Sequence, residues 1–251
     1  MLWQLTRRDL IRQSGGSRGA TPVGLGLSLV RPILVGLALW VGLRPFLNAS
    51  VPRYPLFLVV GLCHWHLWSG ATQMGCQALR ANANLLSKIY FPRWVLPASA
   101  LLTQCIRIQI VWLVFLLTLY RSLGGQIWWG WWLYPLGLSL FLLFTLGLCL
   151  GLSVAQVYAE DTREVLSLSI QLSLWLSPIL YPLSHFSAGT QVMLSWLNPL
   201  LPFLNFFHSL FYRSVLPDGA CWLGMLSWSA LALGLGVWLF ARLQAEVTDW
   251  L

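Results

Sequence analysis

Carboxylates cluster in one place, residues 160–164, EDTRE, where Glu160, Asp161 and Glu164 surround Arg163. Paired carboxylates or a carboxylate with a base can move protons for a transferase or hydrolase. No histidine lies near this run in sequence, so it makes an incomplete acid–base set. His64 and His66 stand two apart, hence on different faces of a helix, which is poor geometry for one metal. His185 and His208 have no cysteine or acid cluster beside them. Cys63, Cys76, Cys105, Cys149 and Cys221 form no CxxC pair and read as small core residues. A phosphate-cradling GxxxxGK run followed by Ser or Thr is absent, so the chain brings no nucleotide-hydrolysing loop of its own. Two arginines, Arg31 and Arg107, lie within apolar stretches, where a cation must reach an interface, a cavity or a partner.

The elements that would hold these residues follow from composition. Of 251 residues, 58% are hydrophobic and 9% charged, and 16 are tryptophan, which points to lipid as the solvent. No charge occurs between Ser122 and Ala159, between Val165 and Tyr212, or between Gly219 and Ala241. A run of about 20 apolar residues crosses the hydrocarbon core. The expected fold is an all-α integral membrane protein, a single unit over 1–251, with six spans at about 23–43, 54–74, 94–119, 128–158, 165–183 and 219–241. The N-terminus lacks the pattern of a cleaved signal, so the first span is expected to stay.

The connections are more polar. LWQLTRRDLIRQ, residues 2–13, suits an interfacial helix on the cytoplasmic surface, carrying Trp3, Arg7, Arg8, Asp9 and Arg12 before a Gly/Ser hinge that runs to residue 18 and beyond. Residues 77–90 predict a short basic helix with its charges in water, stopped at Phe91-Pro92 because proline disfavours the α region in its predecessor. WWGWW, 128–132, reads as an aromatic belt. Residues 184–212 are charge-free but broken by Gly189, Asn198-Pro199, Pro202 and Asn205, which predicts two short helices dipping in from the outer side. On this layout nine basic residues fall inside and four outside, so both termini are expected in the cytoplasm.

NLLSKIYFPRW, 84–94, with Asn84, Lys88, Tyr90, Phe91, Pro92 and Arg93 leading to Leu96-Pro97, resembles the signature of the permease subunits of ABC-2 type polysaccharide exporters, which export O-antigen, capsule or teichoic acid chains. WQLTRRDL at 3–10 resembles that family's N-terminal interface helix, and LNPLLPFLNFF at 197–207 its outer re-entrant segment. Asp161 stands 17 residues before the proline of SPILYP, as the family's loop acid does. The chain departs in having Glu160 where the family often has Arg, with Arg163 two residues beyond Asp161, and in a longer stretch between Arg12 and Pro32.

The resemblance implies that 77–93 is a coupling helix seated in a separate ATPase subunit, with Asp161 on a second contact. It implies a homodimer with two ATPase copies at the cytoplasmic membrane, and ATP and Mg held by the partner, with none bound by this chain. A lipid-linked glycan would then be the cargo, and one or both of Arg31 and Arg107 would meet its pyrophosphate. Trp65, Trp68, Trp112, Phe115 and Tyr120 could stack on sugar rings or else face lipid. The interfacial helix could anchor to anionic lipid, contact the ATPase, or both. Another ABC-2 cargo, such as a drug or lipid, and a membrane-bound transferase stay open as alternatives.

Overall fold

The computed structural model describes residues 2–13, 34–42, 51–86, 91–122, 128–183, 187, 189, 193–194 and 197–244. Arg31, Lys88, Tyr90, His185, the hinge and the C-terminal tail lie outside the described residues, as does the side chain of Arg12. The described residues are helical and hold no strand. In order they form α1 (Leu2–Gln13), α2 (34–42), α3 (Tyr54–Cys76), a 3-10 turn Arg80–Asn82, α4 (Ala83–Leu86) and α5 (Val95–Ser122). A 3-10 helix Trp129–Leu133 then leads to α6 (Tyr134–Tyr158), α7 (Thr162–Leu176), α8 (Leu201–His208), a π turn Ser209–Arg213 and α9 (Gly219–Leu243). Among the described residues three stretches are long and apolar enough to cross a bilayer: Val95–Arg121, Trp129–Tyr158 and Gly219–Leu243. α3 is of similar length but carries His64, His66 and Gln73.

Side-chain contacts fix the direction of each helix. α3 runs parallel to α6, since the Cys149 thiol lies 3.3 Å from the Ala71 carbonyl and His64 meets Phe141 higher up. α5 runs against them: Gln104 donates to the His66 carbonyl, and Gln109 shares hydrogen bonds with the Tyr134 hydroxyl. The pole carrying α1, the end of α3 and the start of α5 is here called proximal, the opposite one distal.

The tightest seam joins α6 and α9. A Cβ on Gly236 would land on the Gly147 carbonyl oxygen, and one on Gly147 would land on the backbone of Ala232. Small residues four apart (Gly147 and Gly151, Ala232 and Gly236) let two backbones touch, the means of helix association when lipid removes the hydrophobic drive. Hydroxyls within the helices, such as Thr72, Thr103 and Thr145, bond carbonyls of their own preceding turn and leave no donor stranded.

Two expected elements differ. The fifth span, expected to 183, ends as α7 at Leu176, because Ser177 is forced extended (φ −100°, ψ 152°) ahead of Pro178. The following turn tucks Ile179 against Gly61, whose missing Cβ would lie 3.2 Å from the Ile179 Cα. Over 77–86 the continuous helix expected to reach 90 is instead a turn, the 3-10 piece and the short α4, and residues 87–90 lie outside the described residues. Asn82 there bonds the Ala78 carbonyl through its side chain at 2.8 Å, a local alternative to the helical ladder. The aromatic run at 128–132 coils as a 3-10 helix, on which residues three apart eclipse. Trp129 and Trp132 consequently point outward together, 62% and 83% exposed, while Trp131 meets Phe211 in the interior.

Residues 198–213 begin and end in the distal half. Asn198 donates to Ser177 Oγ at 2.8 Å and to the Leu176 carbonyl, and Tyr212 donates to the Pro52 carbonyl at 2.7 Å. Between them Phe203, Phe206, Phe207 and Leu210 are fully buried. Asp218 then caps α9, its carboxylate accepting from the Cys221 amide at 3.2 Å.

Candidate functional site

The proximal pole gathers residues far apart in the chain. α1 lies on the start of α5, with Leu5 and Thr6 buried and Trp3 and Arg7 exposed. Leu5 joins Leu79, Phe91, Val95, Leu96, Val154, Val157 and Phe240 in a second apolar cluster. Phe91, read from sequence as a coupling residue, is 7% exposed and roots its segment in this cluster. Pro92 is exposed beside it, and the carbonyls of Pro92 and Arg93 accept the first amides of α5, from Val95 and Leu96.

Two polar bridges tie the loops of this pole together. The Arg8 guanidinium holds Asp9 at 3.0 Å and donates to Asn82 Oδ1 at 2.8 Å, linking α1 to the 3-10 turn after α3. Arg80 pairs with Glu160 at 2.9 Å and donates to the Val157 carbonyl at 3.4 Å, linking that turn to the end of α6. Beside it Gln156 donates to the Glu160 carbonyl, and the Tyr158 hydroxyl donates to the Leu243 carbonyl at the end of α9. Arg80 and Asn82 were not singled out by the sequence reading. The departure at Glu160 was visible, but its partner 80 residues away was not.

Asp161 sits exposed at the N-cap of α7 with no side-chain capping bond, and its carbonyl accepts from the amides of Glu164 and Val165. Asn84 is exposed on α4, while Lys88 and Tyr90 fall outside the described residues. A cleft of about 260 Å³ opens between α1, the end of α3 and the start of α5, lined by Asp9, Gln77, Asn82 and Leu96 among others.

The candidate sugar path does not form one surface in the protomer. Trp65 is half-buried and donates to Ser173 of α7 at 3.0 Å. Trp68 and Trp112 are core residues, 7% and 2% exposed, and Trp112 sits among Phe115, Phe211 and His64. Phe115 borders an apolar groove, Arg107 is half-buried on α5, and Tyr120 is exposed towards the distal end of that helix. His64 stacks on Phe207 at 3.6 Å, with Nδ1 2.7 Å from the Val60 carbonyl, so that nitrogen carries the proton. Among the described residues no three His, Cys, Asp or Glu side chains gather as metal ligands.

A bundle of apolar helices whose ion pairs, among the described residues, lie at one pole defines a multi-pass membrane protein. The chain belongs to the ABC-2 type transporter family, whose model matches residues 2–212. It is similar to the O-antigen export system permease protein RfbA of Myxococcus xanthus, 27% identical over 251 residues, covering 99% of this chain and 94% of that protein. A Klebsiella pneumoniae protein of the same name is 26% identical over 197 residues, 75% of this chain and 73% of its own length.

Proposed function

We propose that this chain is the permease subunit that exports an O-antigen-type, lipid-linked polysaccharide across the inner membrane, driven by ATP hydrolysed in a separate subunit. The observation that carries this reading is the proximal pole: α1, residues 77–86 and 91–96, and the 158–162 loop converge there, in a chain similar over nearly its whole length to an O-antigen export permease.

On this reading the proximal pole is cytoplasmic and both termini lie inside. Six spans are formed by the helix that includes α2, by α3, α5, α6 and α7, and by α9, and residues 184–212 are a re-entrant segment from the outer side. Support for that segment comes from the hydrogen bonds that keep Asn198 and Tyr212 in the distal half. Asn84, Lys88, Tyr90, Pro92, Arg93 and Asp161 form the face offered to the ATPase, which holds ATP and Mg, and the buried Phe91 anchors that face to the cluster beneath it. Trp3, Arg7, Arg8, Asp9 and Arg12 belong to a helix lying along the membrane surface, and the buried Leu5 edge supports this by fixing α1 to α5.

Two copies enclose the glycan path with two ATPase subunits beneath. Val165, Leu168, Leu172 and Trp175 line an apolar face of α7 with 58–61% exposure, open to lipid or to a second copy. Arg31 and Arg107 then meet the pyrophosphate, while Trp65, Phe115 and Tyr120 offer ring faces to the sugars and Trp68 and Trp112 hold the wall behind them.

The test is ATPase activity and glycan export in membranes containing this chain with its ATPase, comparing the parent with a chain whose 88–93 segment is replaced by a flexible one. Loss of export with the complex still assembled is expected. Unchanged export overturns the coupling role, and failure of any ATPase to assemble with the chain overturns the exporter reading.

A further inference from the structure

The 3-10 turn Arg80–Asn82 stands between α1 and the end of α6. It continues α3 through the backbone, the Ala81 amide donating to the Gln77 carbonyl and the Asn82 amide to the Leu79 carbonyl. Residues two apart on such a turn point about a third of a circle apart, so Arg80 and Asn82 reach different neighbours. Asn82 Oδ1 accepts from Arg8 of α1 at 2.8 Å, and Asp9 steadies that guanidinium by accepting from its Nε and Nη2. Arg80 turns to the end of α6, where it pairs with Glu160 at 2.9 Å and donates to the Val157 carbonyl. One residue on, the Tyr158 hydroxyl carries the line to the Leu243 carbonyl at the end of α9, at 3.0 Å.

Beneath these bonds lies one apolar cluster to which every joined element contributes: Leu5 from α1, Leu79 from the turn after α3, Val157 from α6 and Phe240 from α9. Phe91, ahead of α5 and within the segment assigned to the ATPase, enters the same cluster. Apolar burial is non-directional, so the cluster keeps these elements together without fixing how each is rotated. Hydrogen bonds are directional, and the line of bonds from Arg8 to Leu243 supplies that constraint.

We propose that the Arg80–Asn82 turn is a yoke: its two side chains make α1, the end of α3 and the ends of α6 and α9 turn as one body when the ATPase pushes the segment that follows. The inference rests on the export reading and names the residues that spread the push. Arg8, Arg80, Asn82 and Tyr158 are positioning residues, acting through the helices they join. Two features make the yoke separable from the fold itself. The bonds lie at the rim of the cluster rather than in it, and Asn82 has a second bond, to the Ala78 carbonyl, that keeps the turn in place when Arg8 is changed.

The full chain would be assembled with its ATPase in membrane vesicles, and glycan exported per ATP hydrolysed would be read beside co-purification of the two subunits. Arg8→Cys combined with Asn82→Cys is expected to lower that ratio several-fold with the complex intact. A reductant-cleavable bis-methanethiosulfonate linker of arginine-like reach should then restore most of the ratio, and reduction should lower it again, because elements that turn together tolerate a staple. The parent chain treated with the same linker is the control for its native cysteines, which are buried or half-buried. Tyr158→Phe, which removes one oxygen and no ring, should lower the ratio with assembly unchanged. Asn82→Asp keeps the acceptor for Arg8 and should stay near the parent. Parental ratios in both the unlinked cysteine pair and Tyr158→Phe overturn the yoke, as does a linked chain that exports less than the unlinked one. A parent chain that assembles with no ATPase or exports no glycan overturns the export reading itself, and the yoke with it.

Discussion

At the proximal pole neighbouring elements are joined side chain to side chain, Arg8 to Asn82 and Arg80 to Glu160, with Glu160 still 79% exposed. At the distal pole the joints are aromatic. Phe207 lies between His64, Tyr134 and Phe141, and Phe203 stacks on Phe144 at 5.0 Å. The polar bonds there run mainly from buried side chains to backbone carbonyls, as from Tyr54 to Leu180. Interlocked rings in a close-packed interior have one good arrangement, and changing it costs every contact at once. Exposed ion pairs are worth about 0–1 kcal/mol and can be exchanged for water. One pole is built to keep its shape, and the other can shift its loops at small cost.

The strongest challenge to this contrast is to break what holds the poles in register. Gly236→Leu forces a side chain onto the Gly147 carbonyl, a backbone atom that cannot rotate away. The expected loss exceeds the ~1–3 kcal/mol of ordinary overpacking. It would show as failure to purify as a monodisperse species, or as a collapse of the thermal melt. A Gly236→Leu chain with parental stability would mean that α6 and α9 do not touch as described.

Next in size comes the distal core. Phe207→Ala removes a fully buried ring from between three aromatic partners. In water such a change costs ~3–5 kcal/mol. In a bilayer the transfer term is reduced, because lipid is as apolar as the core. The expected loss is about 3 kcal/mol, measured by steric trapping or thermal melting in lipid nanodiscs. A loss under ~1 kcal/mol would remove the rigid pole from the comparison.

The same contrast explains what the sequence disclosed. The starts and ends of α3, α5, α6 and α9 fall within a few residues of the expected spans, because charge and proline punctuate apolar runs at those points. The early end of α7 was also written locally, in Ser177-Pro178, although the apolar run continues past it. Partners were not legible. Nothing near Glu160 points to Arg80, and the charge-free, broken stretch at 197–211 does not disclose that its phenylalanines fill the centre of the distal core. Local patterns fix where a helix lies along the chain, whereas a pair between distant loops depends on the packing of everything between them.

The smallest expected effect on stability falls at Arg80 and Glu160, and it sharpens the contrast most. Glu160→Gln should cost no more than about 1 kcal/mol, since the pair is largely in water. Arg80→Gln should cost somewhat more, because the same guanidinium also serves the Val157 carbonyl. If this bridge makes the turn after α3 and the end of α6 move as one body under the ATPase, each single change lowers glycan exported per ATP hydrolysed several-fold while ATPase activity persists. The exchange Arg80→Glu with Glu160→Arg should restore part of that ratio. A double-mutant cycle reads the coupling directly. Additive effects in the cycle would leave the bridge as an incidental surface contact, and a stability loss as large as that of Phe207→Ala would make the proximal pole as rigid as the distal one.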